Sequence, residues 1–302
     1  RSLHSNTTGT HNVAVGYEAL CKNTTACQNT GVGSCSLFAN TTGVGNTSVG
    51  HNSLRDNTCG NFNNAVGVSA LISNTTGCCN NAFGTNAMSC NTTGCFNTAM
   101  RDDALANNST AKFNTAVGAC SLCANTEESH TAVGFKSLLN NTTGVKNTAM
   151  GCRSMHSNTT GSCNTAYGGT SLFDNTTGCF NTAIGMDALA NNTTANFNTA
   201  IGACSLVANT TGFDNTAIGF AALVTNTTGI RNTASGKYAL NLNTTGTKNT
   251  AIGTYALMNN TTSSGIVNNI DEFSRLISPK DFNSFKNQLM EFAEVYFPNN
   301  FN

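Results

Sequence analysis

The stretch NTAIGMDALANNTTANF, residues 181–197, is one copy of a unit that repeats along most of this 302-residue chain. The unit starts again at Asn198, Asn215, Asn232 and Asn249. Stepping backwards by 17 residues leads to Asn12, with a single shorter step of 16 residues between Asn114 and His130. The chain therefore carries fifteen copies, and a short fixed period is the sequence signature of stacked structural repeats.

Some positions of the unit, which we call columns and count from its first residue, hardly vary between copies. Column one is Asn except at His130, and column five is Gly except at Arg101. Column nine is Leu or Met, column twelve is always Asn, and column thirteen is Thr except at Ser109. Seventeen residues are too few for helical repeats, but they suffice for two strands of about five residues and two turns. The sequence therefore predicts an all-β protein, a β-solenoid of fifteen 17-residue coils, about 70 Å long at the usual strand spacing.

Stacking of the coils predicts a role for the large and the polar columns. Columns four and nine are expected to form a thin apolar core, as in Ile184, Leu189, Ile201, Leu206, Ile218 and Leu223. The Asn of column twelve is expected to bond its own turn and the Asn of neighbouring coils, as amide ladders do. This structural ladder includes Asn23, Asn40, Asn57, Asn74, Asn91, Asn175, Asn192, Asn209, Asn226 and Asn243.

Two large apolar residues per coil form a small core, which is hardly enough to offset the entropy of ordering the chain. We therefore expect a further apolar face to be shared between chains, with the alanine-rich columns allowing close approach. A parallel homotrimer is the simplest closed arrangement that buries one face of each solenoid.

The repeat pattern stops after Thr262, so the sequence divides into a solenoid over 1–262 and a C-terminal segment over 263–302. Ser278-Pro279 is typical of a helix start. Apolar residues follow at alternating spacings of three and four, the pattern of a coiled-coil seam: Phe282, Phe285, Leu289, Phe292 and Tyr296. The segment either caps the solenoid within one chain or bundles three chains, and we favour oligomerisation because the aromatic seam would be exposed on a monomer.

The recurring run Asn-Thr-Ala-Ile-Gly-x-x-Ala-Leu, seen at residues 181–189, resembles the repeats in the heads of trimeric autotransporter adhesins. With the Asn-Thr-Thr-Gly segment it is still more similar to repeat arrays in tail-fibre-like proteins of phages and giant viruses. The resemblance covers roughly residues 1–262 and implies a trimeric, elongated β-roll on a cell or virion surface, used as a stalk or adhesin. The adhesin heads have a shorter repeat unit, so their handedness and cross-section do not carry over.

Composition argues against several classes of function. The chain has 14 basic and 14 acidic residues, so charge gives it no attraction for nucleic acid. It has no apolar run long enough to span a membrane. Its five histidines are scattered and its acidic residues form no recurring pair, so we expect neither enzymatic activity nor a cofactor or metal site.

Cysteine and the glycosylation sequon both recur in the repeats. Cys78 and Cys95 lie one repeat apart in column sixteen, a Cα spacing compatible with a disulfide. Alternatively, the 14 cysteines are small turn residues that remain thiols, or some of them bridge chains. The Asn-Thr-Thr segments are glycosylation sequons, but glycans in successive coils would crowd each other, so we favour turn hydrogen bonds as their role. Examples of these segments start at Asn23, Asn40, Asn74, Asn91, Asn141, Asn175, Asn209, Asn226 and Asn243.

Three functions remain as hypotheses. The first is a rigid extracellular or virion-surface fibre whose main partner is itself. The second is an adhesin that binds host glycans or receptors through its lateral face, where Phe residues recur in column seventeen. The third is ice binding through the column-two threonines Thr182, Thr199, Thr216, Thr233 and Thr250. Arg101-Asp102-Asp103, and Glu127-Glu128 in the short coil, interrupt the pattern. They are candidate kinks or exposed contact points, but we favour drift that is tolerated on a solvent face.

Overall fold

The computed structural model describes residues 1–268, which form a single parallel β-solenoid. Its sixteen strands make one sheet in which the order along the sheet equals the order along the chain. The strands are β1 (Val13–Val15), β2 (Thr30–Val32), β3 (Thr47–Val49), β4 (Asn64–Val66), β5 (Asn81–Phe83), β6 (Thr98–Met100), β7 (Thr115–Val117), β8 (Thr131–Val133), β9 (Thr148–Met150), β10 (Thr165–Tyr167), β11 (Thr182–Ile184), β12 (Thr199–Ile201), β13 (Thr216–Ile218), β14 (Thr233–Ser235), β15 (Thr250–Ile252) and β16 (Val267–Asn268).

Each coil contributes one strand of three residues, in columns two to four. Adjacent strands pair in register, so that Thr182 lies beside Thr199 and Ala183 beside Ala200. Because side chains alternate between the two faces of a strand, only the middle residue points into the coil. The column-three alanines are accordingly fully buried from Ala65 to Ala251.

This alternation corrects the predicted core. Ile184, Ile201 and Ile218 are 38%, 36% and 42% exposed, because column four shares the outer face of the strand with column two. The prediction that column-four residues fill the core was therefore wrong. The alanines of column three line the interior, since a coil this thin leaves room only for a methyl group beside the leucine.

Column nine supplies the large side chains of the core. Leu189, Leu206 and Leu223 are fully buried, and with the alanines of columns three and eight they belong to one continuous apolar cluster. These leucines were predicted as core residues, and the prediction is confirmed. The core is a single column of leucine or methionine flanked by methyl groups.

The second strand predicted for each coil is not formed in residues 1–268. Columns seven, nine and seventeen adopt left-handed backbone conformations in every coil, for example Asp187 (φ 57°), Leu189 (φ 52°) and Phe197 (φ 58°). Such residues cannot continue a strand, and each costs about 1–2 kcal/mol relative to a right-handed conformation. The side of the coil opposite the sheet is therefore a series of turns, stabilised by contacts with the coils on either side.

Backbone hydrogen bonds join successive coils in these turns as well as in the sheet. Leu189 donates its N–H to the carbonyl of Ser205, one coil ahead, at 3.0 Å. Gly202 donates to the carbonyl of Ile184, one coil back, at 2.7 Å. The threonines of column thirteen add a bond from the side chain, as when Thr193 Oγ1 donates to the carbonyl of Thr210.

The stack continues past the boundary predicted at residue 262. Ser264 Oγ accepts a hydrogen bond from the N–H of Thr247, and Gly265 donates its N–H to the carbonyl of the same residue. The strand Val267–Asn268 then pairs with β15. Ser264 supplies an acceptor in place of the usual turn residue, so Ser263-Ser264-Gly265 is part of a coil. The predicted helical residues Phe282 to Tyr296 lie outside the described residues.

Candidate functional site

The interior of the solenoid contains two ladders of asparagine, and both are occupied by hydrogen bonds. The column-twelve ladder is interrupted at the short coil, where Asn125 Nδ2 donates to the carbonyl of Glu127. In column twelve, Asn192 Nδ2 donates to Asn175 Oδ1 at 2.8 Å and to the carbonyl of Ala195 at 3.1 Å. Its own Oδ1 accepts from Asn209 Nδ2 at 3.0 Å. The second ladder, in column one, accepts backbone donors, as when Asn181 Oδ1 accepts the N–H of Asn198. Buried amides that are fully paired in this way serve the fold and leave no group for a ligand.

The ladders also explain the sequons. Each column-twelve asparagine that begins an Asn-Thr-Thr segment from Asn23 to Asn243 is fully buried. Its Nδ2, the atom that would carry a glycan, is engaged with the neighbouring coil. A glycan on a ladder asparagine is therefore incompatible with the stacked coil, so recognition has to involve outward-facing columns.

The cysteines are free thiols, and those of column sixteen have a shared structural role. Cys95 Sγ accepts the backbone N–H of Cys78 at 3.1 Å, and Cys78 Sγ accepts that of Asn61 at 3.3 Å. In other coils an Asn or Ser side chain in the same column accepts the equivalent bond, as Ser162 does from Val145. The two cysteines predicted to pair are thus neighbours in adjacent coils, but the disulfide between them is not formed in the structure.

The outer face of the sheet carries a row of exposed apolar side chains in column four. Its most exposed members are Val15, Val49, Phe83, Met100, Tyr167, Ile184, Ile201, Ile218 and Ile252. Beside it runs the column-two row, which is threonine in ten successive strands from Thr98 to Thr250. The threonines on which ice binding was predicted therefore share one face with a long apolar row.

Aromatic side chains form pairs on another side of the coil, in column seventeen. Phe96 and Phe113 stack with ring centroids 5.4 Å apart, and Phe180 and Phe197 stack at 5.2 Å. All four side chains are more than half exposed. Phe62, also in this column, lies over Gly45 of the preceding coil. The phenylalanines that recur in this column thus stack in pairs, and the pairs offer flat apolar surfaces to solvent.

One of the irregular copies contains a buried histidine whose pKa is strongly lowered. His130 occupies the place of a column-one asparagine and is 1% exposed. Its Nδ1 accepts the N–H of Asn147 at 3.2 Å, as an asparagine oxygen does elsewhere in the ladder. Burial lowers the pKa of His130 to about 4, and the backbone of Gly144 opposes this shift only in part. The residue is therefore neutral at pH 7 and acts as an asparagine substitute.

A notch opens on the surface of the same irregular region. It has a volume of about 300 Å³ and is lined by Arg101, Asp102, Gly118, Ala119 and Phe135. The notch exists because coil seven has only hydrogen and methyl side chains here, between larger residues in coils six and eight. Sequence reasoning marked Arg101 and its neighbours as contact points but missed Phe135, which lies two coils further on and follows no column pattern.

Residues 1–268 contain no group of three or more His, Cys, Asp or Glu side chains placed to bind a metal ion. In the same range, no helix has the length and apolar character needed to cross a bilayer. Comparison with known proteins gives no match to any family model, and no curated protein matches the chain.

Proposed function

We propose that this chain is a structural fibre protein whose solenoid forms a rigid, extracellular or virion-surface rod. The observation that carries this proposal is the unbroken pairing of sixteen strands in sequence order, together with two asparagine ladders that run through the same coils. Each coil contacts only its neighbours, so the fold adds length without enclosing a site. Such a stack is stiff because every coil is hydrogen-bonded to its neighbours in the sheet and in the turns.

The exposed column-four row supports assembly of the rod into a parallel homotrimer. Monomeric proteins rarely expose a contiguous apolar patch larger than a few hundred Å². A second copy of this chain has the same rise per coil, so each exposed Ile or Val of one copy would meet an equivalent side chain of the next. Three such faces around one axis would cover the row and the threonines beside it.

Electron microscopy and sedimentation test this proposal directly. We expect straight particles about 70 Å long from the fifteen coils, and the mass of three chains in solution. The double variant Ile201→Asp and Ile218→Asp should dissociate the trimer without unfolding the coil, because both side chains point outward. Thr194→Asp, at an exposed turn position, is the matched control and should leave the trimer intact. A monomeric wild-type chain would exclude the trimer, and bent or compact particles would exclude the rigid rod.

A second candidate function, recognition of glycans by the lateral face, is favoured by the stacked phenylalanine pairs. Flat aromatic surfaces that are more than half exposed are suited to stacking on the apolar faces of sugar rings. Glycan-array binding by the wild-type chain that is lost in Phe113→Ala and Phe197→Ala would support this role. Binding that survives both substitutions would place recognition elsewhere.

A further inference from the structure

The departures from the repeat are concentrated in one part of the solenoid. The single exceptions to columns one, five and thirteen are His130, Arg101 and Ser109, and the only short copy runs from Asn114 to Ser129. All of them lie in three consecutive coils, the sixth to the eighth, whereas the other twelve copies keep these columns unchanged. Local departures from the rules of a fold tend to occur at functional sites.

Arg101 is the largest of these departures from the repeat. The other fourteen copies have glycine in its column, where the backbones of neighbouring coils lie very close together. A Cβ added to Gly84 would lie 2.5 Å from the carbonyl carbon of Arg101, and one added to Gly185 would lie 2.6 Å from that of Gly202. Arg101 adopts a φ of 102°, against 119° to 139° at the fourteen glycines of the column. A left-handed conformation in a non-glycine residue is strained, and strain of this kind is often retained for a function.

The guanidinium of Arg101 also forms no ion pair within residues 1–268. The ion pairs among residues 1–268 join Arg55 to Asp56 and Arg231 to Asp214, and neither involves Arg101. Asp102, the next residue, accepts the backbone N–H of Thr85 in the preceding coil, on the side away from the notch. The guanidinium therefore remains available to an external anion, for which its planar donors are well suited.

The opposite wall of the notch is aromatic. Phe135 is exposed, and Lys136 places its ammonium 5.1 Å from the centre of the phenyl ring, which adds a second positive charge nearby. Arg101 and Phe135 belong to coils two steps apart, about 10 Å along the axis. The intervening coil contributes only Gly118 and Ala119. The space is thus close to one coil thick, and its volume is at the lower end of the range of small-molecule sites.

We propose that this notch binds a sugar residue that carries a carboxylate, such as a hexuronic or sialic acid. Arg101 donates to the carboxylate, and the ring of Phe135 packs against the apolar face of the sugar. A simple anion would leave the aromatic wall unused, and a neutral sugar would leave the guanidinium unpaired. The inference rests on the second proposed function, recognition of glycans by the lateral face. The notch lies at a different part of the coil from the phenylalanine pairs.

Isothermal calorimetry of the full chain with glucuronate, N-acetylneuraminate and glucose tests the proposal. We expect at least one acidic sugar to bind, with an affinity at least about tenfold above that of glucose. Arg101→Gly should lower that affinity at least about tenfold, and Phe135→Ala should weaken it as well. Lys248→Gln, which removes an exposed cation far along the rod, is the matched control and should leave binding unchanged.

Arg101→Gly restores the residue found in the other fourteen copies, so its melting temperature should be equal to or above that of the wild-type chain. Loss of binding in that variant therefore reports on the ligand contact and not on unfolding. The proposal is overturned if neither acidic sugar binds at up to about 10 mM, or if Arg101→Gly binds as well as the wild-type chain. This result does not depend on the fibre proposal, since sugar binding is measured whatever the oligomeric state. It is also distinguishable from binding at the phenylalanine pairs, because Phe113→Ala and Phe197→Ala leave the notch unchanged.

Discussion

The buried histidine of the ladder should make the solenoid sensitive to acid at one coil. His130 Nδ1 accepts the N–H of Asn147, so the neutral ring carries its hydrogen on Nε2. Protonation would add a hydrogen to Nδ1, where it would face another donor in a site that water does not reach. The folded state therefore resists the charged form, and the pKa falls from 6.5 to about 4.

The sign of the effect follows from this shift. Between pH 6.5 and pH 4 the unfolded chain binds a proton that the folded chain does not, so folding becomes less favourable as the pH falls. The contribution is fully present above pH 6.5 and is lost progressively down to pH 4. A difference of 2.5 pKa units corresponds to about 3 kcal/mol, of which about 2 kcal/mol is lost by pH 5.

The substitution His130→Asn isolates the pH-dependent contribution of His130 to stability, because asparagine is the residue of the other fourteen copies and does not titrate. His156, whose pKa is also lowered by burial and by nearby cations, is present in both proteins and cancels in the comparison. Hydrogen exchange at Asn147 and in the coils around it measures the local opening free energy, which is appropriate because a solenoid need not unfold in one step. We expect the variant to gain about 2 kcal/mol over the wild-type chain between pH 7.5 and pH 5.

Parallel pH dependences in the two proteins would refute the reasoning. So would an NMR titration in which the His130 ring protonates near pH 6.5 in the folded chain, since the site would then tolerate the charge. A variant that is less stable at every pH by a constant amount would show that histidine is needed for packing and not merely tolerated.

Three further pairs of substitutions test the stacking contacts by denaturant melts or hydrogen exchange. Asn192→Ala should cost about 2–3 kcal/mol, because it leaves the amides above and below it in the ladder without partners, whereas Asn191→Ala, at an exposed position, should change stability by less than about 0.5 kcal/mol. Gly185→Ala should cost more than about 2 kcal/mol, since the added Cβ would meet the next coil, whereas Gly169→Ala, with its nearest atom 4.0 Å away, should be close to neutral. Cys78→Ser should be nearly neutral because a hydroxyl accepts the same backbone bond, whereas Cys78→Ala should cost about 1 kcal/mol.

Each of these pairs has an outcome that contradicts its premise. Equal effects of the two asparagine substitutions would mean that the buried ladder contributes no more than a solvated turn. A tolerated alanine at Gly185 would mean that column five is less crowded than its backbone distances indicate. A large loss in Cys78→Ser would indicate that the sulfur forms a bond that oxygen cannot replace, such as the predicted disulfide with Cys95.

The period of the repeat was sufficient to predict a parallel solenoid, because residues that recur at one spacing can only be equivalent if the coils stack. The invariance of asparagine in column twelve likewise pointed to a ladder, since a buried amide needs partners in every coil. The strand pattern was harder to predict. Ile184 and Leu189 are both large and recur in most copies, so apolar character alone could not show that one faces solvent and the other the core.

What separates these two residues is backbone geometry. The strand is only three residues long, so Ala183 points inward and Ile184 outward, and the left-handed conformation of Leu189 turns its side chain into the coil. No propensity favours a left-handed leucine. It persists because the N–H of Leu189 donates to Ser205 in the next coil, while the carbonyl of Ala188 accepts the N–H of Leu172 in the previous one. The notch between Arg101 and Phe135 is also a product of stacking, because these residues are distant in sequence and meet only across an intervening coil of glycine and alanine. The chain's repeat thus specifies its architecture, whereas the distribution of side chains between core and surface depends on dihedral angles that only the assembled stack imposes.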